Sequence, residues 1–306
     1  MNIATSFQSA GRTGNGIVLS IGNFDGLHRA HARILAWTVR TAKRMKAEAW
    51  ALTFSNHPAE ILKGRKPTLL SPLDEKLDLL SGTGLDGVLL LRFTPKLSRM
   101  SAEDFLGLLC RKMRIRAVCV GRNFLFGSSN RGTPGLLRKW SGQRGFGLKV
   151  FPVLKDRQTG KIVSSTAIRT LIAEGKVDTA AKLLGRPYSL SAGIVPGRKL
   201  GRTIGYPTIN FDPAGLTRKL VPLDGVYITE TTLSGSRGSR RGLTYIGPVL
   251  GTGRRTIETH LLDYKGSDRG TATVRFLKFV RRPRNIRTPE DLRKRIRRDI
   301  ILSRRL

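Results

Sequence analysis

The hydrophobic pattern of this 306-residue chain changes period partway along, and that change constrains the fold more than any other feature. From residue 16 to about 155, short apolar runs alternate with helix-period segments. GIVLSIG (16–22) reads as a buried strand, HARILAWTVRTAKRMKAE (31–48) as a helix and AWALTF (49–54) as the next strand. SPLDEKLDLL opens a helix with a serine cap and acids in its first turn. DGVLLLRF, AVCVG and LKVFPVL read as further buried strands, with SAEDFLGLLCRKM and GTPGLLRKWSG as the helices between them. Short apolar strands joined through helices imply a doubly wound parallel sheet, an α/β domain whose ligands sit beyond the carboxyl ends of the strands.

After about residue 186 the texture becomes six short β-like runs, SLSAGIV, GYPTINF, GVYITET, LTYIGPV, TIETHLL and TVRFLKF, separated by glycine-containing turns. TPEDLRKRIRRDIILSRRL then reads as a helix, with Thr288 as cap and Pro289 at its first position. Many short strands and one terminal helix imply a small antiparallel β-barrel. The expected division is 1–186 and 187–306.

Three of the four histidines fall at the predicted strand ends of the first half: His28 and His31 after the first strand, His57 after the second. Two imidazoles three apart at a helix start share a face, and the unpaired N–H groups and dipole of that helix favour an anion there. The other reading is a pair of surface histidines. In SSTAIR, Ser164, Ser165 and Thr166 present hydroxyls at a predicted helix start and Arg169 follows one turn on, a set suited to a polyphosphate tail or to a routine cap.

In the second half, GRKLGRTIGYPT has the glycines and cations of a loop that covers phosphates, or of a basic hairpin; it lacks GxxxxGK[ST] and is no Walker loop. Thr208 and Asn210 are neutral oxygen ligands two apart, on one face of a strand, and suit Mg²⁺ held jointly with ATP phosphates. Glu258 is an acid in an otherwise apolar strand: a general base, or an acid on the solvent side of an alternating strand. His260 shares its strand face.

Lys and Arg number 56 against 21 Asp and Glu, a net charge of +35 that favours anionic partners. The excess is spread over both halves and grows dense only in RRPRNIR and LRKRIRRDIILSRRL, so no obligatory nucleic acid or membrane partner is expected. No apolar run approaches the roughly 20 residues of a membrane span, and the N-terminus has no apolar signal core. Cys110 and Cys119 are the only cysteines, which excludes a disulfide framework or a zinc site and points to a reducing compartment, the cytoplasm.

GNFDGLHRAH, TFSNHP, GRNFLFG and SSTAIR, in this order, resemble the adenylyltransferase half of bifunctional riboflavin kinase/FAD synthetases. GRKLGRTIGYPTIN and IETHLLDY resemble the kinase half of the same proteins, and the resemblance runs from about residue 15 to 303. It implies a nucleotidyltransferase-type α/β domain followed by a six-stranded barrel. It also implies two reactions, riboflavin + ATP → FMN + ADP and FMN + ATP → FAD + pyrophosphate, with Mg²⁺ as cofactor. By the resemblance, His28 and His31 contact ATP phosphates and steady charge at the transition state, beside Gly22, Phe24 and His57. Ser164, Ser165, Thr166 and Arg169 hold the outgoing pyrophosphate, and Asn123 and Phe124 lie near the flavin. Lys199, Gly201 and Gly205 belong to the phosphate-covering loop, Thr208 and Asn210 hold Mg²⁺, and Glu258 activates the ribityl 5′-hydroxyl.

The chain departs from the family pattern at Ala30, where HxGH has glycine, and at Ser55–Asn56, usually an acid and a proline. It departs again at Tyr245, usually asparagine, in the following loop, which lacks a Pro-Thr pair, and at DRG (268–270). A kinase with a weakened adenylyl half, and a non-catalytic basic RNA- or membrane-surface-binding protein, stand as the alternatives.

Overall fold

The computed structural model describes the chain apart from residues 11–13, 198–199, 249–254, 265–268, 285–287 and 305–306. It divides into two compact units, Met1–Ser165 and Thr166–Leu306.

The first unit is built on a six-stranded parallel sheet of β1 (Asn2–Ala4), β2 (Ile17–Ile21), β3 (Glu48–Phe54), β4 (Gly87–Leu91), β5 (Ile115–Gly121) and β6 (Gly147–Phe151), in the order β1-β4-β3-β2-β5-β6. Among the described residues its longer helices are α1 (Arg29–Met45), α2 (Leu73–Ser81), α3 (Ala102–Lys112) and α4 (Pro134–Arg144). All five residues of β2 are buried because each face meets a core. Ile17, Leu19 and Ile21 pack with Phe105, Leu106 and Leu109 of α3 and Leu137 of α4. Val18 faces the other way, onto Leu35 and Ala42 of α1 and Leu80 of α2. Each fully buried aliphatic side chain contributes roughly 1.5–3 kcal/mol, so the run that reads as continuously apolar can only be a central strand.

Three local expectations are corrected. The first helix begins at Arg29, two residues before the apolar period suggests, and stops at Met45 because Lys46 takes a left-handed φ of 50° and returns its N–H to the last turn. Ser71 does not cap α2: Pro72 occupies the cap position without a side-chain bond, and the Ser71 N–H is given to the Asp25 carboxylate at 2.9 Å. Strand β1 is an addition, since three residues at a sheet edge are too short for a hydrophobic period to register. Thr133 and Ser101 cap α4 and α3 with their hydroxyls, and β6 ends at Phe151, just before the helix- and strand-breaking Pro152. Cys119 is buried in β5, where burial pushes its thiol up to about 12, and Cys110 is half-buried; both are free thiols.

Helix α5 (Ser165–Ala173) starts at the last residue of the first unit, and the second unit continues through α6 (Val177–Leu184) into a closed barrel. Its strands are β7 (Tyr188–Val195), β8 (Ile209–Phe211), β9 (Gly225–Leu233), β10 (Arg240–Pro248), β11 (Arg255–Leu261) and β12 (Thr271–Arg281), ordered β10-β11-β8-β7-β12-β9 and antiparallel throughout. The interior includes a hydroxyl chain: Thr244 Oγ1 lies 2.9 Å from Thr229 Oγ1 and 2.8 Å from Thr259 Oγ1, so these buried polar groups satisfy one another. Helix α7 (Pro289–Arg304), capped by Thr288, packs outside the barrel through Ile300 onto Val226, Ile228 and Leu243. Its buried Asp299 is held by the Arg281 guanidinium at 2.8 Å. Among the described residues no helix is long and apolar enough to cross a membrane.

Candidate functional site

In the first unit, candidate residues gather on the loops that leave the carboxyl ends of adjacent β2 and β3. The loop after β2 is tightly wound: Phe24, Gly26 and Leu27 have φ of 50°, 79° and 36°. It is tied to the end of β3 by the Thr53 hydroxyl, which donates to Asn23 O at 3.1 Å. His28 is the cap residue of α1, and its Nδ1 accepts from the His31 N–H at 3.4 Å, which leaves its ring proton on Nε2. The two imidazoles stack, with centroids 3.6 Å apart and planes 14° from parallel. Phe24 is buried behind them and meets His31 edge-on at 5.2 Å; Gly22 precedes it, with no room for a side chain larger than hydrogen without pressing on the Phe24 ring.

Burial and the neighbouring His28 hold His31 well below the ordinary imidazole pKa, so it is a neutral donor at pH 7. Its buried Nδ1 has no hydrogen-bond partner among the described residues. A buried ring nitrogen left without a partner beside a helix N-terminus is an unmet hydrogen-bonding demand at this loop.

His57 follows β3 at the same sheet edge, where its Nδ1 accepts from Ala59 N at 3.1 Å and its N–H is taken by Glu60. Within the first unit, Ser165 donates its hydroxyl to Asp25 O of the imidazole loop at 2.9 Å, with Ser164 just before it. Thr166 and Arg169 belong to the second unit, in the first turns of α5, Thr166 exposed and Arg169 half-buried. Asn123 and Phe124 stand on the loop after β5; Asn123 is exposed and the Phe124 ring stacks on Phe126 at 5.3 Å. Ala30 is the second residue of α1, where a methyl group favours the helix over glycine.

In the second unit the cluster lies on the outer face of the barrel. Along β11 Ile257, Thr259 and Leu261 are buried while Thr256, Glu258 and His260 alternate with them, half-buried. Glu258 is therefore an outward acid and not an interior one, and His260 shares its face as the alternation requires. Register places Asn210 of β8 and Tyr245 of β10 on either side of Glu258. Thr208, just ahead of β8, directs its hydroxyl to Glu258 Oε2 at 3.4 Å. Asn210 lies so close to Gly197 that any Cβ there would run into its carboxamide. His260 Nδ1 lies 2.8 Å from Pro207 O, and its ring meets Tyr206 edge-on at 5.4 Å.

Gly201 sits in a short helical turn, where its carbonyl accepts from Tyr206 N at 2.7 Å, and Gly205 takes a φ of +83°, open to glycine and costly for other residues. Lys199, the loop after Tyr245 from residue 249 to 254, and Asp268 of DRG lie outside the described residues.

Sequence reasoning missed the supports. Asp25 is buried and its carboxylate accepts from the N–H groups of Leu70 and Ser71 at 3.2 and 2.9 Å. Lys76 is buried on α2 and donates to Phe54 O at 2.6 Å; burial lowers its pKa to about 8, with Asp25 opposing the shift. Asp25 carried a sequence signal, a lone acid inside a glycine loop, whereas Lys76 reads as one more cation on an amphipathic helix.

A family model described as FAD synthetase matches residues 11–167, and one described as riboflavin kinase matches residues 184–306. The bifunctional riboflavin kinase/FMN adenylyltransferase of Escherichia coli (strain K12) is 33% identical over 294 residues, 94% of this chain and 92% of that protein. The enzyme of the same description from Pseudomonas fluorescens is 32% identical across 95% of this chain and 93% of its own length. The one from Haemophilus influenzae is 29% identical across 98% and 97%. A solved structure described as a macrolide-efflux protein from Streptococcus pneumoniae has a TM-score of 0.88 at 26% identity, covering 99% of this chain and 98% of that one. ATP is the co-substrate that both matched families imply. With the two models matched in order and relatives aligned along nearly the whole length, the chain belongs to the bifunctional riboflavin kinase/FMN adenylyltransferase family.

Proposed function

We propose that this protein phosphorylates riboflavin to FMN in its barrel half and adenylylates FMN to FAD in its α/β half, with the functional division at residues 186/187. The observation that carries the reading is that each matched segment contains its own converged polar cluster, imidazoles at a helix start in one and a carboxylate flanked by neutral oxygens in the other.

In the kinase step the Glu258 carboxylate accepts the proton of the ribityl 5′-hydroxyl. That oxygen attacks the γ-phosphorus of ATP, the bond to the β–γ bridging oxygen breaks, and ADP leaves. The Thr208 hydroxyl and the Asn210 carboxamide, hard neutral oxygens beside Glu258, fit Mg²⁺ held jointly with ATP phosphates. Bound there, Mg²⁺ neutralises charge on the phosphates. The segment with Lys199, Gly201 and Gly205 covers the phosphates. His260 steadies the loop through Pro207 and is not itself reactive.

In the adenylyl step a phosphate oxygen of FMN attacks the α-phosphorus of ATP and pyrophosphate departs, with no covalent enzyme intermediate. His28 and His31 donate N–H groups to phosphate oxygens, and the neutrality of His31 keeps it a hydrogen-bond donor rather than an acid. Gly22, Phe24 and His57 shape the nucleotide side. Ser164, Ser165, Thr166 and Arg169 receive the pyrophosphate, and Asn123 and Phe124 contact the flavin. Two unlinked, burial-suppressed thiols accord with a cytoplasmic enzyme.

One incubation of purified protein with riboflavin, ATP and Mg²⁺, resolved by chromatography, tests the reading. FAD is the expected product. FMN alone would restrict the protein to its kinase half, and neither flavin nucleotide would reject the proposal.

A further inference from the structure

Helix α1 begins with a cation where its dipole disfavours one: Arg29 is the first helical residue, and the first turn holds no acid. The Arg29 side chain turns off the helix onto the carboxylate of Asp156, donating from Nη1 to Oδ2. Arg29 is 45% exposed, whereas its partner carboxylate is 4% exposed. A carboxylate so enclosed needs its partners, and Asp156 has them from two directions. Its other oxygen accepts from the Thr159 N–H and the Thr159 hydroxyl, both at 2.9 Å. Those bonds, with Arg29, hold its carboxyl below the usual carboxylate range.

Asp156 heads a short hairpin. Gly160 N donates to Asp156 O and Asp156 N to Lys161 O, each at 2.9 Å; Lys155 bridges Ile162, and Val163 N closes onto Leu154 O at 2.8 Å. Ser164 and Ser165 follow at once. The hydroxyl donors are thus delivered by a stalk whose tip is gripped by the residue between His28 and Ala30. A second tether, Ser165 to Asp25 O, joins the same loop.

We propose that the Arg29–Asp156 ion pair is a positioning device of the adenylyl site, setting the spacing between the stacked imidazoles and the serine hydroxyls so that both reach one triphosphate. This inference rests on the adenylyltransferase reading above. Neither residue touches the reacting atoms; both act through the groups they hold. Pre-organisation is what such a pair provides: a displacement of about 1 Å in a phosphate-orienting group costs up to about 10²-fold in rate, and this pair ties the stalk's tip to α1.

The test uses the full chain and three single variants, Arg29→Gln, Asp156→Asn and Arg29→Lys. Asparagine at 156 keeps an acceptor for Thr159, so Asp156→Asn removes the ionic grip without removing the turn. Arg29→Gln and Asp156→Asn are each expected to lower kcat for FAD formation from supplied FMN about tenfold, with KM for ATP nearly unchanged. The double variant should lose no more than either single one, since both remove the same contact. Arg29→Lys should recover most of the rate. Riboflavin phosphorylation by the same preparations should be unaltered, which controls for folding. A kcat for Arg29→Gln within twofold of the parent, losses that multiply in the double variant, or no recovery by lysine would each overturn the inference. If the parent protein itself forms no FAD from FMN and ATP, the adenylyltransferase reading fails instead.

Discussion

The two halves assemble their candidate sites by opposite means. In the α/β half, residues distant in sequence meet because parallel strands deliver their carboxyl ends to one edge; the loops there carry His28, His31 and His57. In the barrel half, Glu258, Asn210 and Tyr245 meet because antiparallel register sets them side by side on one face. A loop-built site depends on tethers such as Asp25, Lys76 and the Arg29–Asp156 pair. A register-built site inherits its spacing from the ladder and needs few of them. The first kind is therefore sensitive to changes one shell away from the ligand, and the second chiefly to changes in the groups themselves.

The largest expected effect separates the halves outright. Glu258→Gln should lower FMN formation by about 10³-fold, the range of a lost general base, while FAD made from supplied FMN stays at the parent rate; chromatography of both reactions checks it. Unchanged phosphorylation would remove Glu258 from the base role. His31→Ala is the converse, with FAD formation reduced about 10²-fold and FMN formation kept; a full FAD yield would leave the stacked imidazoles without a catalytic part.

Acidification sharpens the contrast next. Because the folded pKa of His31 lies below its unfolded value near 6.5, the unfolded chain binds the extra proton first, and the fold loses stability as pH falls from about 6.5 towards the lowered value. Above that window the contribution is constant. Thermal melts between pH 7.5 and pH 5.5 (chosen to bracket it) should show a first-unit transition that falls with acid, and less so in His31→Gln. Equal slopes would deny the linkage. The smallest effect concerns the family departure at residue 30. Ala30→Gly should cost about 0.5–1 kcal/mol of stability with no gain in FAD formation; a faster adenylyl step would mean that the methyl group obstructs the nucleotide.

The histidine pair and the serine run were legible because each sits where the hydrophobic period switches from strand to helix. Glu258 was legible as an acid in an apolar run, but its face was not: an alternating strand has two sides, and only barrel closure decides which is interior. Ser71 illustrates the opposite failure. A serine before a helical run reads as a cap, yet a buried carboxylate 46 residues earlier claims its N–H. Lys76 and Asp156 had no local pattern at all, since their roles depend on partners at Phe54 and Arg29.

By itself, the sequence determined the period of most major elements, the change from parallel sheet to barrel, and which residues could carry phosphate and proton chemistry, because burial is written in local spacing. Only the tertiary structure decided which of those groups face one another and which charged residues hold them there. Such contacts arise from sheet order, register and loop closure, and none of these is a property of any single stretch of chain.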